Sequence, residues 1–196
     1  MEYKEAEKYI KDQLRNKLST DLYYHGLEHT LDVLGATKQY CRMEDISNNE
    51  QLLVQTAALF HDAGMIETYL DHEEASVKLA KESLPGFGYT AEQISVITRL
   101  IMTTKLPQNA ESILEKILCD SDLDYLGRKD FFVIAEKLRY EWNILNINPT
   151  TLKEWYEIQL EFLSNHEFYT ASARMLRNKQ KTENLNQIKE LMAQNK

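Results

Sequence analysis

QLLVQTAALFHDAG, residues Gln51–Gly64, is the most apolar segment of the chain. Its apolar residues go nearly all round a helical wheel, not along one stripe, which predicts a helix buried on every side. SNNE (Ser47–Glu50) precedes it, with a capping serine and an acid for the first turn. Gly64 is expected to end the helix or to follow its end. The odd feature is the adjacent pair His61 and Asp62 at the C-terminal end. An acid is unfavourable at the negative end of a helix dipole, and an ionised carboxylate beside a buried apolar segment needs a partner. A cation satisfies both. The plain alternative is a polar helix end in which His61 donates to the last carbonyls.

Helical periodicity extends in both directions from this segment. EAEKYIKDQLRNKL places Ala6, Tyr9, Ile10, Leu14 and Leu18 on one face, and a second helix is predicted from about Gly26 to Met43 with Val33, Leu34, Thr37 and Tyr40 inward. Downstream, DHEEASVKLAKESL, TAEQISVITRLIMTT, AESILEKILCDSDLDYLG, RKDFFVIAEKLRYEWNIL, TLKEWYEIQLEFLSNH and roughly Tyr169 to Ala193 all read as helices, with LPGFGYT as a loop. Gly and Pro are scarce, at 6 and 3, which argues against an all-β fold and its many turns. The expectation is one all-α domain over residues 1–196, a helical bundle.

Composition is that of a soluble globular protein, with 43% apolar and 28% charged residues. The net charge of −8 lacks the basic footprint that binding a nucleic-acid duplex requires. The locally basic ARMLRNKQKTENLNQIKE reads as a solvated helix face. Cys41 and Cys119 form no CxxC pair, as suits reduced thiols. With no signal peptide and no membrane span visible, a cytoplasmic location is expected. The aromatic pairs Tyr140/Trp142 and Trp155/Tyr156 suit core packing or a partner helix, and a homodimer is compatible with the sequence.

Other stretches carry residues suited to metal chemistry. His25 and His29 stand four apart in YYHGLEHT, a spacing that puts two side chains on one helix face. One ring can then hold a metal while the other faces substrate, and imidazole suits proton transfer near neutral pH. CDSDLDYLG carries Asp120, Asp122 and Asp124. At helical spacing Asp120 and Asp124 continue the Ile113/Ile117 side, and Asp122 the Leu114/Leu118 side. Asp120 or Ser121 also suits a plain helix cap. In DHEE, Glu73 and Glu74 favour a helix N-terminus, or His72 and Glu73 line a cleft. Thr104, Lys105, Arg128 and Arg139 are candidates to meet a substrate phosphate.

The order His29, then His61–Asp62, then a later Asp, each on a helix, resembles the HD-domain superfamily of metal-dependent phosphohydrolases. The likeness runs from about Leu22 to Asn184, the expected core. It implies an all-helical fold and one divalent ion (Mn, Fe, Co, Ni, Zn or Mg) held by His29, His61, Asp62 and Asp122, with Asp120 as the alternative last ligand. YHGLEHT resembles the Tyr-His-x-x-x-His element of the cyclic-nucleotide phosphodiesterases, which makes His29 a ligand and His25 the acid that protonates the leaving oxygen. SDLDYLGRKDFFVIAEKLRYEW is similar to a less characterised bacterial set, aligned through Asp122. Only His72 and His166 remain beyond the motif and no GYP signature is present, so a two-metal centre is not expected. The implied activity is hydrolysis of a small phosphate ester, with a nucleotide or cyclic nucleotide as the leading class. Asp62 would orient or deprotonate the attacking water. The other reading is a non-catalytic regulatory module that binds metal or nucleotide.

Overall fold

Nine α-helices succeed one another in the computed structural model, which describes residues 1–194: α1 (Tyr3–Lys17), α2 (Leu27–Met43), α3 (Asn48–Phe60), α4 (His72–Ser83), α5 (Ala91–Thr103), α6 (Ile113–Asp122), α7 (Phe131–Ile144), α8 (Leu152–Asn165) and α9 (Ala171–Gln194). Short 3-10 turns cover Ala63–Ile66, Leu84–Phe87 and Asp124–Gly127. No strand occurs among the described residues, so the fold is all-α as expected. Asn195 and Lys196, the last two residues of the expected domain, lie outside the described residues. No helix among those described is long and apolar enough to cross a membrane.

Local chemistry sets the helix starts. Ser47 accepts a hydrogen bond from the Glu50 backbone N–H at the head of α3. Thr90 with Gln93, Ser112 with Glu115, and Thr151 with Glu154 form reciprocal capping boxes at the heads of α5, α6 and α8. Each cap stabilises its helix by about 1 kcal/mol and fixes where it begins.

Helix α3 is the centre of the molecule. Val54, Ala57, Ala58, Leu59 and Phe60 are at most 1% exposed, as the all-round apolar pattern requires. Helices α1, α2, α5 and α6 pack around it. The core passes both limits of the expected 22–184 span, because α1 contributes Ala6, Ile10 and Leu14, and α9 contributes Ile188.

One local expectation narrows and one needs correction. Helix α3 stops at Phe60, with His61 as its C-cap, and Gly64 follows its end, inside the next 3-10 turn. Gly64 is there for clearance: a Cβ would stand 2.0 Å from the His72 carbonyl oxygen and 2.6 Å from the Ser76 nitrogen. Its N–H also donates to Ser76 Oγ at 2.7 Å, which draws the head of α4 against the end of α3. The stretch LPGFGYT is not all loop either. It contains the 3-10 turn Leu84–Phe87, closed by Gly88 at a left-handed φ of 68° that glycine adopts without strain.

Candidate metal centre and cleft

The end of α3 meets α2 and α6 at a cluster of two histidines and two aspartates. The Nε2 atoms of His29 and His61 lie 3.3 Å apart. Asp122 Oδ1 is 3.3 Å from the first and 3.5 Å from the second. Asp62 Oδ2 is 3.4 Å from His29 Nε2 and 3.1 Å from His61 Nε2, yet neither ring reaches it in hydrogen-bonding geometry, and it is buried without a donor. Ligand bonds of about 2.0–2.2 Å to one cation separate neighbouring donor atoms by about 3.0–3.5 Å. The donors of His29, His61 and Asp122 lie close enough together to hold one divalent ion, and the unsatisfied Asp62 oxygen stands beside the two histidine nitrogens. His61 Nδ1 donates to the Ala58 carbonyl at 2.8 Å, which leaves Nε2 as the lone-pair nitrogen facing the cluster when the ring is neutral. The helix-end role weighed for His61 thus falls to Nδ1, and Nε2 is left to face the cluster.

The electrostatics follow from burial and neighbours. Burial pulls the His29 pKa down, but Asp122 and Asp62 outweigh it and push it up to about 9. His61 is likewise raised well above its ordinary value against the pull of burial, by Asp62 and Asp122. Burial would raise the Asp62 carboxyl, but His61, His29 and His72 hold it well below the usual range. Asp122 is brought down to about 2 by His29 and His61 despite its burial. Each pair thus favours the charged form of the other.

The cluster opens onto a cavity of about 360 Å³. Its far wall is apolar, built from Leu106, Leu123, Leu138, Trp142, Ile158 and Phe162. A family model for the HD domain matches residues 26–126, just over half of the chain, and all four cluster residues fall inside the match.

The chain belongs to the HD domain family.

An uncharacterised protein from Clostridium beijerinckii (strain ATCC 51743 / NCIMB 8052) is 28% identical over 97 residues, which are 48% of this chain and 61% of that relative's length. Among solved structures, one described as a predicted HD superfamily hydrolase, from an uncultured Thermotogales bacterium, superposes with a TM-score of 0.64 at 21% identity, covering 95% of this chain and 91% of that one. That likeness is one of fold.

In this HD domain the acids at the end of α6 serve three places. Asp122 faces the cluster. Asp120 does not: it accepts from the backbone N–H groups of Tyr169 (2.8 Å) and Thr170 (2.7 Å) and from the Thr170 hydroxyl (2.6 Å), and so secures the head of α9. Asp124 accepts from the Tyr40 hydroxyl and, at 2.7 Å, from Arg177 Nε.

His25 lines the cleft, but not for the reason its spacing suggests. Helix α2 begins at Leu27 with Gly26 as an extended N-cap, so His25 precedes the helix and shares no helical face with His29. Glu141 of α7 aims it instead. This fully buried carboxylate accepts from the backbone N–H of Tyr24 at 2.8 Å and of His25 at 3.1 Å. It also takes the His25 Nδ1–H at 2.5 Å and the Tyr69 hydroxyl at 2.9 Å. Burial works against its ionisation, but these bonds, led by His25, hold its pKa below the ordinary value. With Nδ1 committed, Nε2 is the nitrogen left for the cleft. The sequence signal for Glu141 was an acid one turn after Leu138 on the inner face of α7, in the same window as Trp142.

His72 also lines the cleft. Its Nδ1 donates to the Tyr69 carbonyl at 3.1 Å, and its Nε2 lies 3.2 Å from Asp62 Oδ1. Glu73 is buried on the cleft wall, 3.6 Å from His72 Nε2. Thr104 borders the cleft, but its hydroxyl donates to the Ile101 carbonyl of its own helix at 2.8 Å. Lys105 stands at the rim, bound to Asp71 at 2.7 Å and Glu74 at 2.6 Å. Arg128 is not at the cleft. Its guanidinium is taken up by Asp130 and Asp32, both at 2.6 Å, on a separate groove beside α2. Arg139 is likewise paired, with Glu136. Both arginines leave the list of phosphate-binding candidates.

Proposed function

We propose that this HD domain is a metal-dependent phosphohydrolase acting on a small phosphate ester, with nucleotides and cyclic nucleotides the first class to screen. The observation that carries the reading is the buried, donor-less Asp62 Oδ2 amid His29, His61 and Asp122, at the base of a cleft whose wall presents the His25–Glu141 pair. His29, His61, Asp62 and Asp122 would hold the divalent cation, which when bound supplies a Lewis acid for the phosphoryl oxygen and lowers the pKa of a water ligand.

The protein's own groups do the rest. His72 pins Asp62 Oδ1, which fixes the carboxylate plane and keeps Oδ2 turned to the cluster. A carboxylate held well below its usual range is a weak base, so Asp62 acts mainly by orienting the attacking water. His25, protonated on Nε2, delivers that proton to the departing oxygen. Glu141 holds Nδ1 and so keeps the ring in place with Nε2 toward the cleft. The apolar wall excludes bulk water and holds the organic part of the ester.

The test is the metal content of the purified protein and of His61→Ala by mass spectrometry, beside phosphate release from esters with added Mn, Co, Ni or Mg. About one metal per chain, lost in the variant, together with turnover, is the expected result. Metal without turnover of any ester replaces the enzyme by a binding module. No metal under any loading refutes the centre itself.

A further inference from the structure

The wall and rim of the cleft restrict both the organic part and the charge of the ester, given the phosphohydrolase reading above. Lys105 is the one lysine or arginine among the described residues that line the cleft, and it is engaged by two acids, Asp71 and Glu74. Glu73 adds a further buried carboxylate to the same side. Phosphate chains are held by free Lys and Arg groups that spread their charge. Here one phosphoryl group can sit at the cation centre beside His25, but a second or third would face Asp71, Glu73 and Glu74. Much of the remaining wall is apolar, from Leu106, Leu123, Leu138, Trp142, Ile158 and Phe162, with Tyr69, Tyr125 and Gln159 as its polar edges. At about 360 Å³ the cavity is near the small end of ligand pockets.

We infer that the substrate is a compact phosphate monoester with a largely apolar or aromatic body, and that the Asp71–Lys105–Glu74 rim excludes di- and triphosphates. In the reaction the bond from phosphorus to the organic oxygen breaks and one from phosphorus to a water oxygen forms. One proton of that water is lost to the medium, and the organic oxygen receives its proton from His25. The products are inorganic phosphate and an apolar alcohol or phenol, with no change of oxidation state. Asp71 and Glu74 are specificity residues. They do not touch the reacting phosphate; they keep Lys105 from a second one.

The experiment measures kcat/KM of the metal-supplemented protein on phenyl phosphate, hexyl phosphate, glycerol phosphate and one nucleoside as its mono-, di- and triphosphate. Phenyl and hexyl phosphate are expected to exceed glycerol phosphate by about 10-fold or more, as burial of several methylenes provides. The nucleoside di- and triphosphates are expected to fall at least about 10-fold below the monophosphate. In D71N/E74Q the freed Lys105 should raise the diphosphate-to-monophosphate ratio by about 3–10-fold, the size expected for exposed ion pairs. Asn suits position 71, where the backbone is left-handed at φ 54°, so the variant retains the turn. Equal or faster turnover of the di- or triphosphate by the unsubstituted protein overturns the inference, and so does a preference for glycerol phosphate. These outcomes leave the phosphohydrolase standing. Turnover of no ester at all overturns the phosphohydrolase and the specificity with it.

Discussion

Adding one divalent cation to the metal-free protein near pH 7.5 is expected to release between one and two protons, because ligand nitrogens must be unprotonated. With its pKa at about 9, His29 is almost fully protonated there and alone accounts for nearly one proton. His61, raised in the same direction by Asp62 and Asp122, adds to the release. Displacement of His29 from 6.5 to about 9 corresponds to about 3 kcal/mol of preference for the charged ring in the fold. The sign for stability follows. A raised histidine pKa stabilises the metal-free fold below pH 6.5 and loses that contribution as pH climbs through about 9. The cation binds better over the same climb. The Tm gap between metal-loaded and metal-free protein should therefore widen from pH 6.5 toward 9. Titration calorimetry with Mn in buffers of different ionisation enthalpy counts the protons, and thermal scans at several pH values measure the gap. No proton release near pH 7.5, or a gap that narrows as pH rises, would refute the assignment of His29 and His61 as the displaced bases.

Glu141→Gln should lower kcat about 10–100-fold, most for esters with poor leaving groups, with metal content unchanged; a variant with unaltered kcat on every ester removes Glu141 from the chemistry. Asp120→Asn should cost about 1–3 kcal/mol in denaturant unfolding through the head of α9 while cation affinity holds, whereas Asp122→Asn should weaken cation binding about 10–100-fold. Reversed effects of that pair would show Asp120 to be the ligand. Gly64→Ala should destabilise by about 1–3 kcal/mol or more, because its Cβ would stand 2.0 Å from the His72 carbonyl oxygen; an unchanged Tm means that α4 can retreat freely.

The parts legible in the sequence were those that local periodicity carries. The all-round apolar character of Gln51–Phe60 marked the central helix, and Ser47 marked its start. Helical spacing separated Asp120 from Asp122, as the structure does, but Asp124 lies beyond the end of α6 in a 3-10 turn and goes to Tyr40 and Arg177. What spacing lacks is the identity of the neighbour on each side. Only the docking of α9 shows that Asp120 is consumed by Tyr169 and Thr170. Glu141 was overlooked because its partner, His25, lies 116 residues away and nothing local ties the two. The i, i+4 argument for His25 and His29 failed because Gly26 starts the helix between them, a one-residue shift that periodicity does not resolve. Arg128 was chosen for charge alone, and charge alone does not reveal Asp32 and Asp130 beside it.

The span matched by the family model, residues 26–126, holds every residue of the cation cluster but neither His25 nor Glu141. On the function proposed above, capture of the ion and delivery of the proton would be written in separable lengths of chain, joined when α7 docks against the segment before α2. Substitutions in α7 would then retune the aim of His25 without disturbing the cluster. A lineage that lost the carboxylate at position 141 would keep the cation cluster and lose only the group that aims His25.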